Sequence, residues 1–211
     1  HFVEHRRKLI LGFALVSIPL LISAFKIHSD NDLMSFFKPG SPIIRKTNIL
    51  HENLVGARVI YVVLKKEAGD FKLAKNLKDA EAVEQYLRTF KEFDSVLSLP
   101  DHMALVNREM NDGKESFHRV PDENNLIAQY LLFFQRCDLE RYVSSDYSQM
   151  NIVIRHNINS STRVNEIIAN IGKEISGEKF SHFKFAVTGK DVLVAGSVDS
   201  IVAGQATTLV S

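Results

Sequence analysis

A run of seventeen residues without a charged side chain, residues 9–25, lies near the start of the sequence. As a helix it would be roughly 25 Å long, which approaches the thickness of a bilayer core. Helices of water-soluble proteins keep a polar face, and this run offers only Ser17 and Ser23. Pro19 is tolerated in a membrane helix, where neighbouring helices satisfy the freed backbone groups. The run therefore predicts a transmembrane helix.

The charges that flank this run predict its orientation. Residues 6–8 are all basic, whereas a single Lys26 follows the run. Because basic residues favour the cytoplasmic side, residues 1–25 are expected to form a cytoplasmic flank and a membrane helix. Residues from about 26 onward are then expected in the periplasm, outside the cell inner membrane. Two alternatives are a buried core helix and a cleaved signal peptide, although residues 22–25 match the small-residue cleavage pattern poorly.

The composition is that of a folded globular domain. Apolar residues make up 45 % of the chain and charged residues 24 %. The net charge is +1, from 26 basic and 25 acidic residues, which argues against a nucleic-acid binder with a concentrated basic face. Cys137 is the single cysteine, so no disulfide forms within this sequence, and it is interpreted as a structural thiol.

The first part of the outer region alternates between strand and helix patterns. A short helix over residues 43–54 is followed by a β-branched run at 58–64, which predicts a central strand. A second strand is predicted at 95–99, stopped by Pro100. Between the strands a helix is expected, with Asp79 as its N-cap and an apolar stripe formed by Ala80, Val83, Leu87 and Phe90.

The same order recurs later in the chain. A strand is predicted at 150–155, a turn and helix start at 157–162, and a final strand from Phe183 to Val187, ended at Gly189. The helix between these strands has the stripe Val164, Ile167, Ile168, Ile171 and Ile175. Two βαβ units of this kind predict an α+β domain of the ferredoxin-like split βαβ type, with a four-stranded sheet. The small-residue segment 191–211 predicts a helix that leads into a further membrane span.

A helical insertion is expected between the two units, over residues 101–147. Helical patterns occupy 103–110 and 126–134, and the segment 130–134 is more apolar than one core-facing side requires. One interpretation is a helix packed on the sheet, and the other is a hydrophobic surface for a partner or an apolar cargo. The candidate contact residues on this segment are Tyr130, Phe133 and Phe134.

No pattern in the sequence predicts catalysis. A nucleophile-elbow motif is absent, and the segment 189–191 lacks the remainder of a phosphate-binding loop. Ser144, Asp146 and His156 are residue types found in hydrolases, but their spacing matches no motif. The prediction is a protein that is not an enzyme and that has no catalytic residue, cofactor or metal ligand.

The order of these parts resembles one half of an exporter of the RND superfamily, of the MMPL or predicted-exporter type. The matching segments are FFKPGSP at 36–42, LVG at 54–56, VLSLPD at 96–101, IAQYL at 127–131 and VDSIVAGQ at 198–205. The resemblance implies that residues 26–190 form a porter domain inserted between two membrane helices. It also implies that this architecture occurs twice in one polypeptide.

Such exporters use the proton gradient through ionisable residues of membrane helices outside this sequence, and their cargo tends to be lipids or other hydrophobic molecules. The partners implied are the remaining membrane helices, a second porter domain of the same polypeptide, the bilayer and the cargo, with no nucleic acid and with a homo-oligomer left open. The alternative is a membrane-tethered extracytoplasmic sensor or ligand-binding domain.

Overall fold

The computed structural model describes residues 10–13, 15–19, 36–53 and 56–210. The chain divides into two compact units, His1–Asp30 and Asn31–Ser211. In the first unit, the described residues are helical and their large apolar side chains are exposed. Much of the predicted span 9–25 lies outside the described residues. Among the residues that are described, no helix is both long enough and apolar enough to cross a membrane, so the transmembrane helix stays a prediction.

The second unit combines helices with four strands. Its strands are β1 (Arg58–Lys65), β2 (Phe93–Leu97), β3 (Gln149–His156) and β4 (Lys184–Thr188). Its helices are α1 (Pro42–Asn53), α2 (Ala74–Leu87), α3 (Leu99–Glu109), α4 (Asn124–Leu131), α5 (Arg136–Leu139), α6 (Ser161–Ile175) and α7 (Lys190–Val210). Single 3₁₀ turns occur at Asp70–Lys72, Glu115–Phe117 and Glu178–Phe180.

The four strands form one antiparallel sheet in the order β2-β3-β1-β4. The central pair is β1 with β3, in a register that places Ile60 opposite Ile154 and Val62 opposite Ile152. Strand β4 pairs with the other edge of β1, and β2 pairs with β3 after an irregularity between Phe93 and Ser95. The prediction of an α+β domain with a four-stranded sheet is confirmed.

One face of this sheet carries the hydrophobic core. Alternate residues of β1 are fully buried, as the two-residue period of a strand requires. The buried stripes of α2 and α6 belong to the same core, and burying four or five aliphatic side chains per helix is what holds each helix on the domain. The core residues of these elements are Ile60, Val62, Leu64, Leu77, Ala80, Val83, Leu87, Val164, Ile167, Ile171 and Ile175.

Helix α2 begins earlier than predicted. Its first turn starts at Ala74, whose backbone N–H donates to the Oδ1 atom of Asn124 on α4 at 2.8 Å. An amide from another helix thus satisfies one of the N–H groups that a helix start leaves unpaired. Asp79 lies inside the helix, and its carboxylate is 3.1 Å from the Nε2 atom of His182. The prediction of Asp79 as N-cap is therefore wrong.

The end of β2 also differs from the prediction. The strand ends at Leu97 rather than at residue 99, because Ser98 and Asp101 form a capping box that starts α3. Pro100 lies in the first turn of this helix, where its missing N–H costs nothing. The proline that was expected to stop a strand instead begins a helix.

The start of α6 and the insertion follow the predicted pattern. Ser160 caps α6, because its side chain accepts a hydrogen bond from the backbone N–H of Arg163 at 3.1 Å. Helices α3, α4 and α5 lie between β2 and β3, which is where the helical insertion was predicted. Its apolar side chains, including Met103 and Ile127, join the same core as the sheet.

Candidate functional site

The three candidate contact residues occupy different environments. Tyr130 is 4 % exposed, and its hydroxyl donates to the Oδ1 atom of Asn107 at 3.0 Å. Phe134 packs partly against the core, with its ring centroid 6.1 Å from that of His102. Phe133 is 62 % exposed. A role for these residues in contacting a cargo stays a prediction, and Phe133 is the most exposed of the three.

An exposed apolar pair forms at the end of α4. Leu132 is 83 % exposed and stands beside Phe133 in the turn that follows this helix. Single exposed apolar residues are common on protein surfaces, whereas two large adjacent ones that are mostly exposed suit a contact surface. We call Leu132 and Phe133 the exposed pair.

A cluster of two carboxyl groups and one arginine lies between α2 and the start of α3. Glu84 is buried, and its two oxygens accept from the Ser98 hydroxyl at 2.6 Å and from the Nη2 atom of Arg88 at 2.7 Å. The same guanidinium atom donates to Asp101 at 2.7 Å and to the carbonyl of Val96 at 3.2 Å. We call Glu84, Arg88, Ser98 and Asp101 the carboxyl cluster.

Burial makes the two carboxyl groups of this cluster titrate differently. Burial, with the nearby carboxylate of Asp101, raises the pKa of Glu84 to about 9. The pKa of Asp101 is lowered, because hydrogen bonds from Glu84, the Ser98 backbone and Arg88 together outweigh the opposing effect of burial. Glu84 therefore keeps a proton to higher pH than an ordinary glutamate, and Asp101 keeps its negative charge to lower pH than an ordinary aspartate. The cluster fixes the joint between α2, β2 and α3.

The two ends of the sheet domain meet at one place. Gly56 precedes β1 with a φ of +63°, and a Cβ atom there would lie 2.7 Å from the backbone nitrogen of His156. Next to it, the backbone N–H of Ala57 donates to the Oδ1 atom of Asn157 at 3.1 Å. Gly189, which follows β4, approaches β1 so closely that a Cβ atom would lie 2.7 Å from the carbonyl oxygen of Val59.

Charged and polar side chains occupy this meeting point. Arg58 donates through Nη1 to the carbonyl of Ile158 at 2.7 Å, and the same atom is 4.0 Å from Asp191 in the first turn of α7. The Nε2 atom of His156 is 3.5 Å from the other oxygen of Asp191. We call the group Gly56, Arg58, His156, Asn157, Gly189 and Asp191 the junction. It joins the segment that enters the sheet domain to the helix that leaves it.

Two open cavities lie elsewhere on the domain. One of about 860 Å³ runs between the end of α2 and α6, with Tyr86 and Phe90 at its apolar side and lysines at its rim. The other, of about 380 Å³, contains Lys65 and Lys184, which stand directly opposite each other on β1 and β4. The linings mix cationic and anionic side chains, and neither cavity has a fully buried polar group among its lining residues.

The remaining reactive side chains are not assembled into a site. Ser144 and Asp146 bond to each other at 2.6 Å in a turn before β3, whereas His156 lies at the far end of that strand. Cys137 is exposed, so its interpretation as a structural thiol is wrong. Within the described part of the chain, no group of three or more His, Cys, Asp or Glu side chains is placed to hold a metal ion.

The chain matches no protein-family model, and it matches no curated protein.

The sequence offered few signals for the carboxyl cluster and the junction. The capping box at Ser98 and Asp101 was visible as a serine followed three residues later by an acidic residue. Glu84 lies four residues before Arg88, which on a helix predicts a surface ion pair and not a buried one. His156 and Asp191 are far apart in the chain, so only the folded structure brings them together.

Proposed function

We propose that residues 26–190 form the extracytoplasmic porter domain of a proton-driven exporter of the RND superfamily, of MMPL type. The domain is inserted between two membrane helices of the inner membrane and moves lipids or other hydrophobic molecules by changing its conformation. The remaining membrane helices, a second porter domain and the bilayer are its partners. Its function needs packing and shape, and it needs no catalytic group.

The observation that carries this proposal is the junction. A domain can be inserted between two neighbouring segments of another structure only when its own two ends lie close together. Here the segment before β1 and the segment after β4 both pack against the β1–β3 pair, through Gly56 and Gly189 respectively. The close approach at both glycines supports a domain that is carried on two neighbouring segments.

The outgoing helix α7 supports the same arrangement. Its exposed residues include Leu193 at 68 % and Ile201 at 60 %, so apolar side chains lie on its surface. The hydroxyls of Ser197 and Ser200 donate to backbone carbonyls four residues earlier, at 2.8 and 2.9 Å. Hydroxyls that are satisfied within their own helix suit packing against other helices in an apolar environment. We infer that α7 leads into the next membrane helix.

The finer fold assignment belongs to the same proposal. We assign the sheet domain to the ferredoxin-like class, in which two split βαβ units share one four-stranded sheet. The strand order β2-β3-β1-β4 and the placement of α2 after β1 and of α6 after β3 support this assignment. Such a domain can shift against its partners as a rigid body, which is how a porter domain would open and close a path.

The location of the domain is tested by labelling Cys137. This cysteine is exposed in the structure and is the single one in the sequence. In intact cells with a permeabilised outer membrane, a membrane-impermeant maleimide should label the peptide that contains Cys137, and Cys137→Ser should remove the label from that peptide. A permeant maleimide serves as the positive control. Labelling by the permeant reagent alone would place the domain in the cytoplasm and refute the proposal.

Transport is tested by the retention of a lipophilic dye. A strain lacking the protein should retain more dye than its parent, and a plasmid copy should restore efflux. Equal retention in both strains for the dyes and lipids tried would favour the sensor alternative. Within the restored strain, changing the exposed pair to serine should reduce efflux at equal protein level. Leu105→Ser, at a 45 % exposed leucine of α3, is the matched control.

A further inference from the structure

His156 combines complete burial with an incomplete set of hydrogen bonds. Its side chain is 0 % exposed, and its Nδ1 atom accepts from the backbone N–H of Ile158 at 3.2 Å. Because a backbone N–H can only donate, Nδ1 carries no proton, and the neutral ring holds its proton on Nε2. Among the described residues that atom has no hydrogen-bond partner, and a carboxylate oxygen of Asp191 is 3.5 Å away.

Charged groups from three packed elements face this ring. Asp191 comes from α7, Arg58 is directly opposite His156 on β1, and Asp94 lies on β2. Burial lowers the pKa of His156, the two carboxylates oppose this effect, and Arg58 adds to it. The ring is therefore neutral at neutral pH and becomes charged only when the surrounding medium turns acidic.

We propose that protonation of His156 breaks a hydrogen bond within the turn that holds the incoming segment and forms an ion pair that anchors the outgoing helix. A proton taken from water by Nδ1 places an N–H group against the N–H of Ile158. Two donors cannot share a hydrogen bond, so this bond is lost and the turn at 156–158 must rearrange. Asn157, whose side chain holds Ala57, lies within that turn.

The same proton strengthens the contact on the other side of the ring. The imidazolium now faces Asp191 through Nε2–H, and a charged pair in a buried site is stronger than the present neutral contact. The ring then binds α7 more strongly at the end of β3, while the turn that holds the segment before β1 loses one of its hydrogen bonds. Acidification thus weakens the contact with one end of the domain and strengthens the contact with the other. This inference concerns the fold itself and holds whether or not the domain belongs to an exporter.

The pH range of this change follows from the direction in which the pKa of His156 is shifted. The pKa of His156 in the folded chain lies below the value of about 6.5 for an unperturbed histidine. As the pH falls below about 6.5, states with an exposed ring bind the proton first. The stabilisation that the neutral ring provides is therefore complete above about pH 6.5. It is lost progressively as the pH falls towards the pKa of the folded state.

Amide hydrogen exchange of the purified 211-residue chain tests this proposal. Rates are measured by NMR from pH 8 to pH 5 and divided by the intrinsic rate at each pH. The protection of the Ile158 amide should fall roughly tenfold per pH unit between about 6.5 and the pKa of the folded ring. The Ile60 and Ile154 amides, at the centre of the β1–β3 pair, exchange only in more open states, so their protection should stay above that of Ile158 at every pH. The Ala57 chemical shift should move with the same midpoint as the ring signals of His156.

Three variants distinguish the protonation of His156 from a general loss of stability at acidic pH. His156→Asn keeps an acceptor near the position of Nδ1 and cannot take a proton, so protection of Ile158 should no longer depend on pH. His182→Asn removes a partly exposed histidine that faces Asp79, and should behave like the unchanged chain. Asp191→Asn removes a carboxylate that favours the charged ring, and should move the midpoint to lower pH.

Several results would overturn the proposal. These are constant protection of Ile158 down to pH 5, or an unchanged pH dependence in His156→Asn. If His156→Asn fails to fold, the ring signals of His156 in the unchanged chain and in Asp191→Asn decide the question. A midpoint that does not move in Asp191→Asn contradicts the pairing with α7.

Discussion

Replacing Gly56 by alanine should destabilise the domain much more than the same change at Gly69. Both glycines have positive φ angles, +63° and +83°, and an L-residue in this region costs about 1–2 kcal/mol. At Gly69 no atom of the described residues lies within 4 Å of the added Cβ atom, so this conformational cost is the whole effect. Gly69→Ala is therefore the matched control.

At Gly56 the added atom also has no space. It would lie 2.7 Å from the Cβ atom and 2.8 Å from the carbonyl carbon of Arg155, and 2.7 Å from the nitrogen of His156. Two of these three contacts are to the backbone, so the strand itself must shift, at a further cost of about 1–3 kcal/mol. The expected total is about 2–5 kcal/mol, a large part of the 5–15 kcal/mol that is typical for a domain.

Urea unfolding of the two variants measures this difference. With a slope of about 1–3 kcal/mol/M, the midpoint of Gly56→Ala should fall below that of Gly69→Ala by roughly 1 M. The slopes should stay equal, since neither change alters the surface that unfolding exposes. Equal midpoints would show that the segment before β1 does not pack tightly on β3. That result would remove the main support for an inserted domain whose two ends are held together.

Two further predictions concern the carboxyl cluster and the candidate contact residues. Glu84 has a folded-state pKa of about 9, above its unfolded value of 4.5, so the stability it provides is complete below pH 4.5 and is lost as the pH rises towards 9. Glu84→Gln should therefore gain stability relative to the unchanged chain as the pH rises, measured by urea unfolding at pH 5, 7 and 9. Tyr130→Phe should cost about 1 kcal/mol through the lost bond to Asn107, whereas Phe133→Ala should stay within about 0.5 kcal/mol.

Each of these predictions has a result that contradicts it. A parallel pH dependence of Glu84→Gln and the unchanged chain would mean that Glu84 is ionised at neutral pH. The charge of Arg88, rather than burial, would then set the pKa of Glu84. For the aromatic residues, a larger loss at Phe133 than at Tyr130 would mean that the exposed pair is packed in solution.

The positions of the helices and strands were largely predictable from the sequence. The stripe from Val164 to Ile175 predicted α6, and the β-branched run at 58–64 predicted β1, because hydrophobic periodicity reflects local geometry. The errors occurred at element ends. Asp79 was assigned a capping role that the amide of Asn124 fulfils from another helix, and no local pattern reports such a contact.

The candidate contact residues also show, within one short segment, what the sequence could predict and what it could not. The run 130–134 is almost uniformly apolar, so its composition predicted no inward side. The structure places Tyr130 in the core and leaves Phe133 exposed, because α4 ends at Leu131 and the turn that follows points its side chains differently. Burial here depends on where the helix ends relative to its neighbours, which is a tertiary property.

By itself, the sequence determined an uncharged run at 9–25, two repeated strand–helix–strand patterns and a helical insertion between them. Only the tertiary structure decided that β1 pairs with β3 rather than with β2, and that burial raises the pKa of Glu84. It alone brought His156 beside Asp191, at the place where the chain enters and leaves the sheet. The reason is physical. Periodicity is set by neighbours three or four residues away, whereas strand pairing, burial and proton affinity depend on groups that are distant in the chain and adjacent only after folding.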